Sequence, residues 1–239
     1  MAATTIDIRR SDERFHTRIG WLDSKHSFSF GGHYSPDNTH HGQLLVLNDD
    51  RVAGGTGFDT HPHRDMEIVT WVLEGELEHK DSEGNRGIIY PGLAQRMSAG
   101  RGIWHSEKNW SPTDEVHFIQ MWVVPDTESI DPSYQQLDVN DQLAAGGLVP
   151  IASGRDHDAA ISIHQRDAVL WAARTSPGEK LAIPATEFAH VFVAKGNLTV
   201  EGAGSLGTGD SARLTSTDEL DAVADDASEV LVWTTGSMR

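Results

Sequence analysis

Trp71-Val-Leu-Glu-Gly-Glu-Leu-Glu-His79 lies over Phe192-Val-Ala-Lys-Gly-Asn-Leu-Thr-Val200 at an offset of 121, with Gly75 on Gly196 and Leu77 on Leu198. Each stretch predicts a strand, a glycine turn and a second strand. Each then runs to a glycine corner, Pro91-Gly92 in one and Gly209-Asp210 in the other. One hairpin repeated at this distance predicts two copies of one fold. Around the hairpins, Leu44 to Leu47, Ile68 to Leu73, Val116 to Val124 and Val191 to Ala194 are rich in β-branched and aromatic residues, with Gly54-Gly55 and Gly84-Asn85 as turn signals. Many short strands at this spacing predict an all-β chain of two sandwiches or barrels. Helical periodicity is scarce, and Ser133 to Leu143 is its best stretch. The expected organisation is an N-terminal domain over 1–128, a connection over 129–150 carrying Pro132 and Gly146-Gly147, and a C-terminal domain over 151–239.

Composition narrows the function classes. The 239 residues carry no cysteine, which excludes disulfides, thiolate catalysis and thiolate metal sites. A formal net charge of −17 repels phosphate backbones, so direct nucleic-acid binding is not expected. No run approaches the ~20 apolar residues of a membrane helix. Met1 to Arg10 lacks the apolar core of a secretory signal, and a cytoplasmic location is expected.

Two motifs concentrate the chemistry. The first is Gly57-Phe-Asp-Thr-His61-Pro-His63-Arg-Asp-Met-Glu67, and the second is Ser98-Ala-Gly-Arg-Gly102-Ile-Trp-His105-Ser-Glu107-Lys-Asn109. In extended chain, residues i and i+2 share a face. Pro62 favours extended backbone and lacks an N–H, so His61 and His63 are expected at a strand start or edge. His105 and Glu107 repeat the spacing. If the two strands are neighbours, three imidazoles and a carboxylate converge on one interior point. That donor set suits iron, nickel, copper, zinc or manganese rather than calcium or magnesium. It also leaves coordination positions open, as a catalytic site requires.

At these residues the sequence resembles the pirin family, a branch of the cupin superfamily. The matching segments include Phe28-Ser-Phe-Gly-Gly32, Leu44-Leu-Val-Leu-Asn-Asp49, His61-Pro-His-Arg-Asp-Met-Glu67, Glu78-His-Lys-Asp-Ser82 and Met97-Ser-Ala-Gly-Arg-Gly-Ile-Trp-His-Ser-Glu107. The resemblance covers most of 20–125 and is loose over 150–239. It implies a bicupin, two double-stranded β-helix barrels packed together, with metal in the N-terminal one only. It implies His61, His63, His105 and Glu107 as ligands, and Fe(II) as the first choice of one divalent metal, with Cu, Ni, Co, Mn or Zn as alternatives. Glu67 then becomes an outer residue able to orient a ligand. Carrying the offset across puts Ala182, Pro184 and Phe188 where His61, His63 and Glu67 stand, so the second copy is expected to be structural.

Bacterial members of that family include quercetin 2,3-dioxygenases. The first functional reading is therefore cleavage of a flavonol by dioxygen with release of carbon monoxide, Glu107 or Glu67 taking the 3-hydroxyl proton. The alternatives are a non-enzymatic, metal-dependent regulator that binds proteins, and another cupin-type metal enzyme such as an isomerase. The expected partners are a small aromatic substrate and dioxygen, with no membrane and a monomeric chain. Gln120, Met97, Trp104, Phe58 and Trp122 are candidates for a cavity wall or for core packing. His26, His33, His40 and His41 are expected in exposed loops, and His190 as a packed or exposed residue without a ligand role.

Overall fold

The computed structural model describes residues 4–155 and 158–238; the first three residues of the N-terminal stretch lie outside that description. The strands of the first part are β1 (Thr5–Arg9), β2 (Phe15–Ile19), β3 (Leu22–His26), β4 (Leu44–Val52), β5 (Gly57–His63), β6 (Glu67–Glu74), β7 (Leu77–Asp81), β8 (Arg86–Ile89), β9 (Leu93–Ser98), β10 (Ile103–Asn109) and β11 (Val116–Val123). The connection holds β12 (Ser133–Asp138) and the helix α1 (Asn140–Ala144). The second part contains β13 (Val149–Ser153), β14 (Ile161–Ser162), β15 (Val169–Thr175), β16 (Lys180–Ile183), β17 (Thr186–Lys195), β18 (Asn197–Val200), β19 (Gly204–Gly207), β20 (Ser211–Thr217), β21 (Leu220–Ala224) and β22 (Ser228–Thr235).

Two sandwiches result, each a seven-stranded sheet over a four-stranded one. In the first, β12-β9-β6-β11-β4-β3-β2 faces β5-β10-β7-β8; in the second, β1-β20-β17-β22-β15-β13-β14 faces β16-β21-β18-β19. The two four-stranded orders correspond strand for strand, and the repeated hairpins are β6-β7 and β17-β18. The jelly-roll-like bicupin expected from the sequence is present, its sheets open at the edges rather than closed into barrels.

Strand alternation decides what each side chain meets. On β6, Val69, Trp71 and Leu73 point out of the first sandwich and join Phe192, Leu231 and Trp233 in a core shared by the two halves. Val72 points inward and packs with Leu77, Ile89 and Phe118. The second sandwich is filled by Leu181, Ile183, Leu198, Val200, Leu214 and Ala222.

Hydrogen bonding departs from the expected boundaries at two places. Residues 5–9, assigned to the first domain, pair with β20 of the second half. Residues 133–138, assigned to the connection, pair with β9 of the first. Each covers an otherwise open sheet edge. The expected helical stretch Ser133 to Leu143 therefore splits, because edge pairing outweighs the weak propensity of so short a segment. Among the described residues no helix is long and apolar enough to cross a membrane.

Candidate metal centre

The two motifs become adjacent strands. β5 and β10 pair antiparallel, with His61 opposite His105 and His63 opposite Ile103. Their register shifts between His105 and Glu107, where Glu107 faces Phe58. Gly57 makes that shift possible. Its φ of +146° suits glycine, and a Cβ there would meet the Glu107 carbonyl and lie 2.7 Å from the Lys108 Cα.

The ligand atoms of His61, His63 and His105 all lie within 4.8 Å of one another. Their ring centroids are 4.4 Å apart for His61 and His105, and 4.9 Å for each pair that includes His63. The Nε2 atoms of His63 and His105 are buried without a hydrogen-bond partner. Burial, then the neighbouring imidazoles, pushes His63 down to about 4 and His105 down to about 3. Both rings are therefore neutral at pH 7, the form that binds a metal. Two neutral imidazoles with bare buried nitrogens, with the His61 ring beside them, fit a divalent transition ion.

Outer contacts fix two of the rings. His61 Nδ1–H donates to the Asp59 carbonyl at 2.7 Å, which leaves Nε2 as its ligand atom. His105 Nδ1 lies 3.4 Å from Nδ1 of His79, whose Nε2 lies 3.1 Å from Asp81 Oδ2. Asp81 is itself held by Asn85 Nδ2 and by the Glu83 and Asn85 amides. With His79 donating to Asp81, its bare Nδ1 accepts from His105, and the His105 lone pair turns toward the other two imidazoles. Tyr134 of β12 packs on the His79 ring at 4.8 Å. The edge strand added to β9 thus closes the back of the site. Sequence reasoning passed over His79, although His79-Lys-Asp81 is itself an i, i+2 pair.

Glu107 is not part of the three-histidine group. Its carboxylate is 2% exposed and accepts two hydrogen bonds from Gln120 Nε2, each 2.8 Å. Trp122 Nε1 donates in turn to Gln120 Oε1 at 3.2 Å.

His61, His63 and Glu107 open onto a cavity of about 370 Å³. Phe30, Phe58 and Trp122 form its aromatic wall, and Ser24, His26, Asn48, Asp50 and Gln120 its polar wall. Burial pushes the Asp50 carboxyl up to about 7, aided by the nearby Asp49 and Glu107 charges and opposed by the Ser24 hydroxyl bonded to it.

Family models match twice: Pirin over residues 8–123 and the quercetinase C-terminal cupin domain over residues 150–233. Quercetin 2,3-dioxygenase of Escherichia coli is 39% identical over 229 residues, 95% of this chain and 97% of that protein. This chain belongs to the pirin family. A Mycobacterium tuberculosis protein is 57% identical over 230 residues of this pirin, covering 96% of this chain and 94% of its own length. The crystal structure of the bacterial pirin YhhW from Escherichia coli in complex with nickel(II) superposes with a TM-score of 0.90 at 37% identity, covering 98% of this chain and all of that one.

Several expected positions need correction in this pirin. Glu67 does not reach the histidines. It shares the outward face of β6 with Val69 and Trp71, and its 1%-exposed carboxylate accepts from the Ser98 hydroxyl (2.8 Å) and the His164 amide (3.2 Å). His26 is not in an exposed loop. It is buried in β3, with Nδ1 2.8 Å from Asn48 Oδ1 and Nε2 2.8 Å from the Thr17 hydroxyl. Trp104 alternates with His105 and is exposed outside the sandwich, whereas Met97 packs with Ile68 and Ile103. Phe58, Gln120 and Trp122 do line the cavity. His190 is buried without ring hydrogen bonds, and His41 is half-buried against the carbonyls of Ala189 and Leu214.

Proposed function

We propose that this pirin holds one divalent transition metal through His61, His63 and His105, with Glu107 as fourth donor, and cleaves a flavonol such as quercetin with dioxygen, releasing carbon monoxide. The observation that carries the reading is the imidazole group opening onto a cavity that is aromatic on one wall and polar on the other. Its volume falls in the ~300–1,000 Å³ range of small-molecule sites. A flat polyphenol matches both walls: rings against Phe30, Phe58 and Trp122, hydroxyls against Asn48, Asp50 and Gln120. The naming of the Escherichia coli relative as a quercetin 2,3-dioxygenase supports the same substrate class. The bound metal supplies Lewis acidity toward the substrate oxygens and a route to dioxygen; iron is the first choice, and nickel is what the related crystal structure holds.

The chain's own groups do the rest. Glu107 takes the substrate hydroxyl proton on a carboxylate oxygen, and one of its two roles is released as the other is taken up. Gln120, steadied by Trp122, keeps that carboxylate aimed into the cavity. The half-buried aromatic wall of Phe30, Phe58 and Trp122 offers the substrate rings an apolar surface.

Protein loaded with iron, copper, nickel, cobalt or manganese is incubated with quercetin in air. The proposal expects flavonol absorbance to fall together with carbon monoxide release. Loss without carbon monoxide would mean nonspecific oxidation. No turnover with any of these metals would favour the regulatory, protein-binding reading. Glu107→Gln is expected to weaken metal retention and Glu67→Gln to leave it unchanged; the reverse would exchange the two carboxylates.

A further inference from the structure

The core between the two halves is apolar, but a polar group borders it at Phe28 and Phe192. On β17 and β20, His190 lies opposite Arg213 and Phe192 opposite Ser211. Opposed residues of an antiparallel pair share a face, and Phe192 in the shared core shows that this face meets the first half. From that half come Arg14, Ser27 and Phe28.

Arg213 is 5% exposed, and its guanidinium carbon lies 4.3 Å from the Phe28 ring centroid. Its Nη2 donates to the Ser27 carbonyl at 2.7 Å, while Nε has no partner. The ion pairs among the described residues give it no carboxylate. Arg14, 5.3 Å over the Phe192 ring, has its charge matched by Asp49 at 2.7 Å, yet its Nε and Nη1 are buried and unpartnered. The Ser27 and Ser211 hydroxyls and both ring nitrogens of His190 are buried without partners as well. The His190 ring sits 5.7 Å from Phe28.

Most of these atoms are donors. Arg213 Nε, Arg14 Nε and Nη1 and one imidazole N–H only donate, whereas the two hydroxyls and the other imidazole nitrogen also accept. A water would therefore find partners here. It would leave the charge uncompensated, and a buried cation without a counter-charge is costly; an anion meets the donors and the charge together. With Arg14 neutralised by Asp49, the charge left to balance is the single one on Arg213.

We propose that Arg213, with Ser27, His190, Ser211 and Arg14, binds a monovalent anion of chloride size between the two halves. Its role is to fasten the two halves; none of these five residues lines the cavity beside the three histidines, so metal content does not depend on it.

The test is thermal melting of the full-length protein in potassium chloride and in potassium gluconate at matched ionic strength, together with anomalous diffraction from crystals soaked in bromide. The expected result is a rise in melting temperature that grows with the logarithm of chloride concentration, about 3–6 °C at a concentration ~10-fold above the dissociation constant. Arg213→Met should abolish that rise with metal per chain unchanged, and bromide should give one peak beside Arg213 Nε. If Arg213→Met does not fold, Ser211→Ala is expected to require more chloride for the same rise. Equal melting in both salts with no bromide peak would overturn the proposal. A bromide peak without a chloride-dependent melting temperature would mean an adventitious ion only, and would overturn it too.

Discussion

The two sandwiches share one frame and differ in what fills it. Hydrogen-bond ladders make the equivalence explicit. In the first half, Asn109 pairs with Leu77 and Glu107 with His79; in the second, Ala224 pairs with Leu198 and Ala222 with Val200. Leu77 and Leu198 are the equivalent hairpin leucines, so Glu107 corresponds to Ala222 and His105 to Leu220. Across the ladder, His61 faces His105 where Ile183 faces Leu220, so His61 corresponds to Ile183 and not to the Ala182 that the offset of 121 gives. The same positions that bring imidazoles together in one copy bring aliphatic side chains together in the other. A jelly-roll interior accepts either a packed core or a cavity with a metal group, and the residues at a handful of inward positions choose between them. The second copy's interior is a packed aliphatic core, and the first holds a cavity lined by imidazoles.

The largest effect is expected from His105→Ala. Elemental analysis is expected to show metal per chain falling close to zero, because two imidazoles are too few to retain the ion. The loss should exceed the ~10–100-fold drop in affinity that follows removal of an outer hydrogen-bond partner. Unchanged stoichiometry would remove the metal centre from this half.

The packed half should respond in the opposite sense. Leu198 is fully buried in the second sandwich. Leu198→Ala is expected to cost about 2–5 kcal/mol in denaturant unfolding and leave metal per chain untouched. Falling metal content would show that the two interiors are coupled.

His79→Ala sharpens the account of the first half. Without the acceptor for His105 Nδ1–H, metal affinity should fall ~10–100-fold, read by competition with a chromophoric chelator, while His79→Gln recovers part of it. Loss of folding in both variants would make His79 a packing residue only.

The smallest effect concerns Asp50. Its carboxyl is pushed up to about 7 from an ordinary 3.8 by burial. A raised carboxyl pKa means that the folded chain binds the extra proton, so this contribution to stability is complete below about pH 4 and is lost as pH rises through about 7. Asp50→Asn should therefore gain on the wild type across that window, by on the order of 1–3 kcal/mol in urea unfolding. A constant difference at every pH would contradict the buried, protonated state.

How far the sequence carried the reading follows from what pattern can express. His61, His63 and His105 were legible because i, i+2 spacing is a direct statement about one strand face, and the paired hairpins announced two copies. Glu67 is expected near the ligands on the family resemblance, which speaks of its place in the motif and not of the face it takes. Val69, Trp71 and Leu73 show that face: the two-residue period turns Glu67 toward the other half. His26 hid because a histidine in Leu-Asp-Ser-Lys-His26 carries no sign of its long-range partners Asn48 and Thr17. The pairing of β1 with the second half and of β12, from the connection, with the first is beyond local pattern altogether, since only the open edges of β20 and β9 call for them.

In the proposed centre three imidazoles surround one ion in the first sandwich, and none does in the second. X-ray absorption at the metal edge of the nickel- or iron-loaded protein tests it directly. The expected spectrum fits three imidazole rings plus oxygen, at one metal per chain. A fit with fewer than two imidazoles, or an all-oxygen shell, would contradict it.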